Sequence, residues 1–159
     1  MTMPCSEINR PANLGNLLGI QPKVRTADYA NEQAFYAAMN AGLAAARARG
    51  WLNPKTIAVY PEYVGAWLVA AGEADAVCGA ATMQGAMARL ILRKPCSFVR
   101  GWLSASRGKD RARIALFQSK AEVMAGIFHR VFARLAKQYQ VTIVPGSTIL
   151  PSPEILNGV

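Results

Sequence analysis

Three short apolar runs, rich in branched residues, alternate with longer helical segments in this sequence. Residues 17–21 form the first run and are followed by Pro22, and residues 56–60 form the second and are followed by Pro61. Residues 141–144 form the third. Apolar runs of this length that end at turn-forming residues predict buried strands. Helical segments between them give a βαβ order, which predicts an α/β fold built on a parallel sheet.

The segment between the first two runs has the spacing of an amphipathic helix. Large apolar residues recur there every four positions, at Phe35, Met39 and Leu43. Alanine fills much of the rest of residues 33–49, so this range is predicted to be one helix. Asn31 is placed to cap its N-terminus, and Gly50 is placed to end it.

A longer helix is predicted before the third run. It begins near Ile114 or Phe117 and ends at Gln138, and its apolar residues form a wide stripe. Residues 65–92 are alanine-rich and predict mostly helical structure that is interrupted by glycines. Those glycines are Gly72, Gly79 and Gly85.

Positive charge is concentrated in the second half of the chain, whose total net charge is +9. Residues 1–88 carry equal numbers of basic and acidic side chains, so the whole excess lies in residues 89–159. Within residues 89–113 the only acid is Asp110. Such a block can contact nucleic acid, an anionic membrane or an acidic substrate, and it can also be a solvated surface segment. The solvated segment is the favoured interpretation, and nucleic acid is not the expected partner. A basic module that binds nucleic acid or an anionic membrane is kept as the alternative function, with a membrane contact left open.

The cysteine and histidine content does not indicate a metal site or a disulfide framework. Cys5, Cys78 and Cys96 are widely spaced, and His129 has no metal-ligand partner near it in sequence, so His129 is interpreted as structural. No glycine-rich nucleotide-binding motif is present. We therefore expect no cofactor. Cysteine usage and the lack of a signal peptide favour a reducing, cytoplasmic location.

Glu62 is the residue that the pattern singles out for chemistry. It follows the second predicted strand directly, between Pro61 and Tyr63. The carboxyl ends of strands in open α/β sheets are where ligands and catalytic groups gather. A carboxylate that is partly desolvated between two tyrosines would suit general-base work. An ordinary loop glutamate fits the same pattern, and the pattern alone favours that interpretation.

Taken in order, several segments between residues 17 and 155 resemble the nitrilase, or carbon–nitrogen hydrolase, superfamily. The matching segments are residues 18–22, the Pro61-Glu62 pair, residues 135–139, residues 141–144 and the Gly146-Ser147 pair. The resemblance implies an αββα sandwich and a Glu–Lys–Cys triad. It also implies that a cysteine thiolate attacks a nitrile or amide carbon to give a thioester, while the lysine stabilises the tetrahedral intermediate. By its place in the motif, Glu62 matches the glutamate that acts as general base.

The lysine and the cysteine of the triad do not carry over. The resemblance places both after the strand that ends in Gly146-Ser147, and residues 148–159 contain neither residue type. Lys120 and Lys137 lie upstream on the long helix, Cys78 lies in the alanine-rich stretch and Cys96 in the basic segment. Pro145 departs from the small or aliphatic residue that is usual before the glycine.

These observations together predict an irregular leader over residues 1–15 and a truncated carbon–nitrogen hydrolase domain over residues 16–159. The expected fold is half of the sandwich. The expected parent activity is hydrolysis of an amide or nitrile, with acyl transfer from the same thioester left open. We expect the chain to be inactive by itself and, because half a sandwich leaves apolar faces uncovered, to self-associate or melt without sharp cooperativity.

Overall fold

The three apolar runs form three strands of one parallel sheet. The computed structural model describes residues 14–78, 80, 82–93, 99, 102 and 111–151. Its strands are β1 over Leu17–Gly19, β2 over Ile57–Val59 and β3 over Thr142–Val144. Their order is β1-β2-β3, all parallel, with Leu18, Ala58 and Ile143 in register. The predicted α/β architecture is confirmed at this level.

Helix α1 spans Glu32–Ala48 and lies within one residue of the predicted range at each end. Asn31 caps it as predicted, because its side-chain oxygen accepts a hydrogen bond of 2.9 Å from the Ala34 amide. Gly50 follows the helix with a φ of +67°, which glycine adopts without steric cost. The three large apolar residues that gave the helical spacing, Phe35, Met39 and Leu43, are fully buried.

The alanine-rich stretch after β2 is divided into three short helical pieces. They are a 3-10 helix over Ala66–Ala70, α2 over Ala74–Val77 and α3 over Met83–Arg93. Gly72 has a φ of +79° and separates the first two, as predicted. The break predicted at Gly85 is wrong, since Gly85 lies inside α3 and its amide donates to the Thr82 hydroxyl at 3.1 Å. Gly79 lies outside the described residues.

Helix α4 spans Arg111–Tyr139, so it begins earlier than predicted and ends one residue later. It packs directly on α1. The rings of Phe35 and Phe132 meet edge to face with their centroids 6.1 Å apart, and Nη2 of Arg130 lies 2.8 Å from Oε2 of Glu32. The two long helices therefore cover the same face of the sheet, as right-handed crossovers between parallel strands require. No helix within the described residues is both long and apolar enough to cross a membrane.

Aromatic side chains fill the space between the sheet and these helices. The ring of Tyr60, just after β2, packs on the ring of Phe132 with the two centroids 4.9 Å apart. The Tyr60 hydroxyl donates a hydrogen bond of 2.8 Å to the Met39 carbonyl of α1. Burial, with a smaller contribution from nearby Tyr139, raises the pKa of Tyr60 far above its ordinary value. Tyr60 therefore ties the sheet to α1 only while its hydroxyl stays protonated.

We expect the Tyr60→Phe variant to lose about 1 kcal/mol of stability at neutral pH, because one buried hydrogen bond disappears. In the wild type, the raised pKa of Tyr60 means that its protonated hydroxyl contributes its full stabilisation below the ordinary tyrosine pKa. That contribution is lost as the pH rises above about 10. The variant should therefore lose less of its free energy of unfolding between about pH 9 and pH 11 in urea titrations. Tyr63→Phe, at an exposed tyrosine, is the control, and equal pH slopes for both variants would contradict the assignment.

The other face of the sheet is apolar and is not covered by the part of the chain that the structure describes. Leu17, Ile57 and Val144 point to this side and are 74%, 42% and 47% exposed. Parallel sheets are ordinarily covered on both faces, and exposed apolar patches of this kind promote association. We expect the predicted self-association to occur through this bare face.

Replacing Ile57 and Val144 together by threonine should shift the chain towards monomer, because threonine keeps the strand propensity and removes apolar surface. Sedimentation velocity over a range of protein concentrations measures the effect. Val123→Thr is the matched control, since Val123 is 50% exposed on α4, away from the sheet. A wild-type chain that sediments as a strict monomer and melts in one sharp transition would overturn the expectation.

Candidate functional site

Glu62 lies just beyond the carboxyl end of β2, the middle strand of the sheet. The amide of Tyr60 donates to the Val144 carbonyl at 2.9 Å, so the chain stays paired with β3 up to that point. Pro61 then ends the pairing, because proline has no amide hydrogen to donate. The sequence therefore sets Glu62 at the first position that turns away from the sheet.

The turn that carries Glu62 is held against the segment after β3. The Tyr63 amide donates to the Ser147 hydroxyl oxygen at 2.8 Å, and the Gly65 amide donates to the Ser147 carbonyl at 3.1 Å. Gly146 has a φ of +76°, and a Cβ atom there would lie 2.1 Å from the Pro61 carbonyl oxygen. Only glycine fits at this close approach, so the two segments form one unit. We call the turn over residues 61–65 with residues 146–148 the clasp.

An apolar pocket of about 490 Å³ opens beside the clasp. Its walls come from the 3-10 helix, α2, α3 and α4, and include Val69, Ala70, Val77, Met87, Leu90 and Phe117. Glu62, Ser147 and Thr148 add polar side chains. Glu62 is exposed whereas Val69 and Ala70 are buried, so the carboxylate lies nearer to solvent than these two wall residues.

The placement of Glu62 confirms one expectation and corrects another. Glu62 lies just past the carboxyl end of β2, as its place in the sequence predicted, and it lines the same pocket as Ser147. It is exposed, however, so the expected partial desolvation between two tyrosines is wrong. The reason is that the Tyr60 ring turns into the core while Tyr63, at a φ of +61°, is 68% exposed. Neither ring therefore shields the carboxylate.

The lysines and cysteines that lie within the described residues do not join Glu62 in the pocket. Lys120 is buried and pairs with Glu73 at 2.7 Å, and it also donates to the Ala71 carbonyl at 3.3 Å. Lys137 is exposed near the end of α4, and Cys78 is exposed just after α2. Cys5 and Cys96 lie outside the described residues.

Two features of the site were missed at the level of sequence. Trp67 lines the pocket although the three tryptophans are too scattered in sequence to suggest a shared role. The buried Lys120–Glu73 pair was missed as well. Its signal was the acidic pair Glu73 and Asp75 inside an alanine-rich stretch, because a charge in such a stretch needs a partner when it is buried.

Residues 89–113, the predicted basic binding segment, fall largely outside the described residues. Of its described parts, Arg111 stacks its guanidinium 4.6 Å from the Trp102 ring centroid and donates to the Trp102 carbonyl. His129 is exposed on α4. Among the described residues there is no group of three side chains suited to holding a metal ion. Binding through the basic segment stays a prediction.

Comparisons of the chain with protein-family models, with curated proteins and with solved structures find no match. A function can therefore be inferred only from the geometry around Glu62 and from the order of the motifs in the sequence.

We expect Gly146→Ala to destabilise the fold by about 3 kcal/mol, because it combines an unfavourable φ with a collision against the Pro61 carbonyl. Gly50→Ala is the matched control: its φ is also positive, but no atom lies within 4 Å of the added Cβ. That variant should lose only about 1 kcal/mol, the cost of the backbone conformation. Urea denaturation of both variants measures the difference, and equal losses would show that the clasp contributes nothing.

Proposed function

We propose that Glu62 is the general base of a site that hydrolyses a non-peptide carbon–nitrogen bond in an amide or a nitrile. The observation that carries the proposal is the position of Glu62 at the carboxyl end of the middle parallel strand, facing an apolar pocket beside Ser147. Transfer of the acyl group to an acceptor other than water uses the same intermediate and belongs to the same proposal.

In the proposed reaction, Glu62 takes the proton of a cysteine thiol as the sulfur attacks the substrate carbon. The carbon–nitrogen bond of an amide then breaks, ammonia or an amine leaves with the proton, and a thioester remains. With a nitrile the attack gives a thioimidate, which takes up one water and releases ammonia to give the same thioester. Glu62 next removes a proton from water, which attacks the thioester and frees the carboxylic acid and the thiol. Within the described residues the Glu62 side chain makes no hydrogen bond or ion pair, which suits a group that must reach a reactant.

The proposal requires a nucleophilic cysteine and a lysine beside Glu62. It includes the proposal that polypeptide beyond this sequence provides both residues. The topology supports this part, because β3 is an outer strand of the described sheet. Further parallel strands added next to β3 would bring their carboxyl ends to the edge where Glu62 and Ser147 lie. In open α/β sheets that edge is where catalytic groups converge.

The finer architecture belongs to the same proposal. We propose that the sheet is one layer of an αββα sandwich, with α1 and α4 as its outer helical layer. The support is the bare apolar face defined by Leu17, Ile57 and Val144, since a second sheet packed there would remove it from water.

The test uses the polypeptide that continues this sequence into the adjoining downstream coding sequence. Release of ammonia is measured with a panel of amides and nitriles. Glu62→Gln should lower turnover about 100-fold or more, because the amide cannot accept the proton. Glu32→Gln is the control, a partly exposed glutamate on α1 that pairs with Arg130 and does not line the pocket. The 159-residue chain alone should show no turnover above its Glu62→Ala variant.

Three outcomes would count against the proposal. The first is an extended polypeptide whose Glu62→Gln variant keeps full turnover. The second is a reading frame that closes without adding a lysine and a cysteine. The third is turnover by the 159-residue chain that disappears with Cys78→Ala or Cys96→Ala, since one of these would then be the nucleophile.

A further inference from the structure

The walls of the pocket beside Glu62 suit an uncharged apolar group. Apart from Glu62, Ser147 and Thr148, the described residues of the lining carry aliphatic, thioether or aromatic side chains, among them Val69, Ala70, Met87, Leu90 and Phe117. Among the described residues that line the pocket, Glu62 is the only one with an ionisable carboxylate or ammonium group, and it is exposed to solvent. A charged group pushed past Glu62 would lose its water without gaining a partner, which is costly.

The size of the pocket matches a small molecule rather than a single methyl group. Its volume of about 490 Å³ falls within the range of roughly 300–1,000 Å³ that is typical of small-molecule sites. Its lining runs from Glu62 and Ser147 at the sheet edge to Leu90 on α3 and Phe117 on α4. A bound molecule therefore has room to extend away from the carboxylate.

We infer that this pocket holds the acyl portion of the substrate, and that the substrate is an amide or nitrile with an extended apolar acyl group. The inference rests on the proposed function, since it assumes that the reacting carbon lies beside Glu62. The polar end of the substrate stays at the clasp, near the hydroxyls of Ser147 and Thr148. The apolar end displaces water from the walls on α3 and α4.

The test measures binding to the 159-residue chain and needs no turnover. Primary amides of increasing length, from acetamide through butanamide and hexanamide to octanamide, are titrated while tryptophan fluorescence is followed. Trp67 lines the pocket and reports on its occupancy, and Trp67→Phe should remove the signal. The dissociation constant should fall about fourfold for each added methylene until the pocket is full.

Two variants in the walls locate the binding. Val77→Phe fills part of the pocket and should weaken octanamide binding at least about tenfold while changing acetamide little. Val123→Phe is the matched control, because Val123 is exposed on α4 and is not part of the lining. Met87→Ala enlarges the pocket and should move the tightest binding to a longer amide. This second variant keeps the test decisive if Val77→Phe does not fold.

The outcomes separate this inference from the proposed function. Dissociation constants that do not change with chain length, or equal effects of Val77→Phe and Val123→Phe, would overturn the acyl pocket and leave the role of Glu62 standing. A dissociation constant that falls steeply with amide chain length, together with full turnover by Glu62→Gln in the extended polypeptide, would support the acyl pocket and contradict the role of Glu62 as the base.

Discussion

The close approach of Gly146 to the Pro61 carbonyl is the constraint on which the candidate site depends. Each strand of the sheet has only three residues, so strand pairing alone does little to fix the segments beyond the strand ends. The clasp continues that pairing past the strands, through the Tyr63 amide on the Ser147 hydroxyl and the Gly65 amide on the Ser147 carbonyl. A side chain at position 146 would push the two segments apart. The position of Glu62 relative to the sheet edge thus depends on the absence of one Cβ atom.

The parts of the fold that the sequence predicted are those that local interactions determine. Proline after β2 removes an amide hydrogen, Asn31 supplies a cap, and large residues at every fourth position give α1 its buried face. Each of these effects acts within a few residues, so it can be inferred without the rest of the chain. The early start of α4 was missed because its first turn carries arginines rather than the apolar stripe that marks the remainder.

The parts that the sequence did not predict depend on residues that are far apart in the chain. Whether Glu62 is shielded is decided by where the rings of Tyr60 and Tyr63 turn, and those directions result from packing on α1 and from the clasp. The pocket is bounded by four separate helical pieces whose contacts have no local signature. The role of Glu62 as a base is carried by the motif order and by its place at the sheet edge, and it stays a prediction.

The buried ion pair between Lys120 and Glu73 bears on the pocket in a different way from the clasp. Both residues are only 8% exposed, and removing two charges from water costs free energy that their attraction at 2.7 Å offsets only in part. A buried pair of this kind is therefore weak evidence for added stability, although it fixes the relative position of the two segments that carry it. Lys120 also donates to the Ala71 carbonyl, so it fixes α4 against the connection between Ala70 and Val77, two residues of the pocket wall. The distance between the α4 wall and the α2 wall is thereby set by an electrostatic contact, whereas the polar edge of the pocket is set by backbone geometry at Gly146.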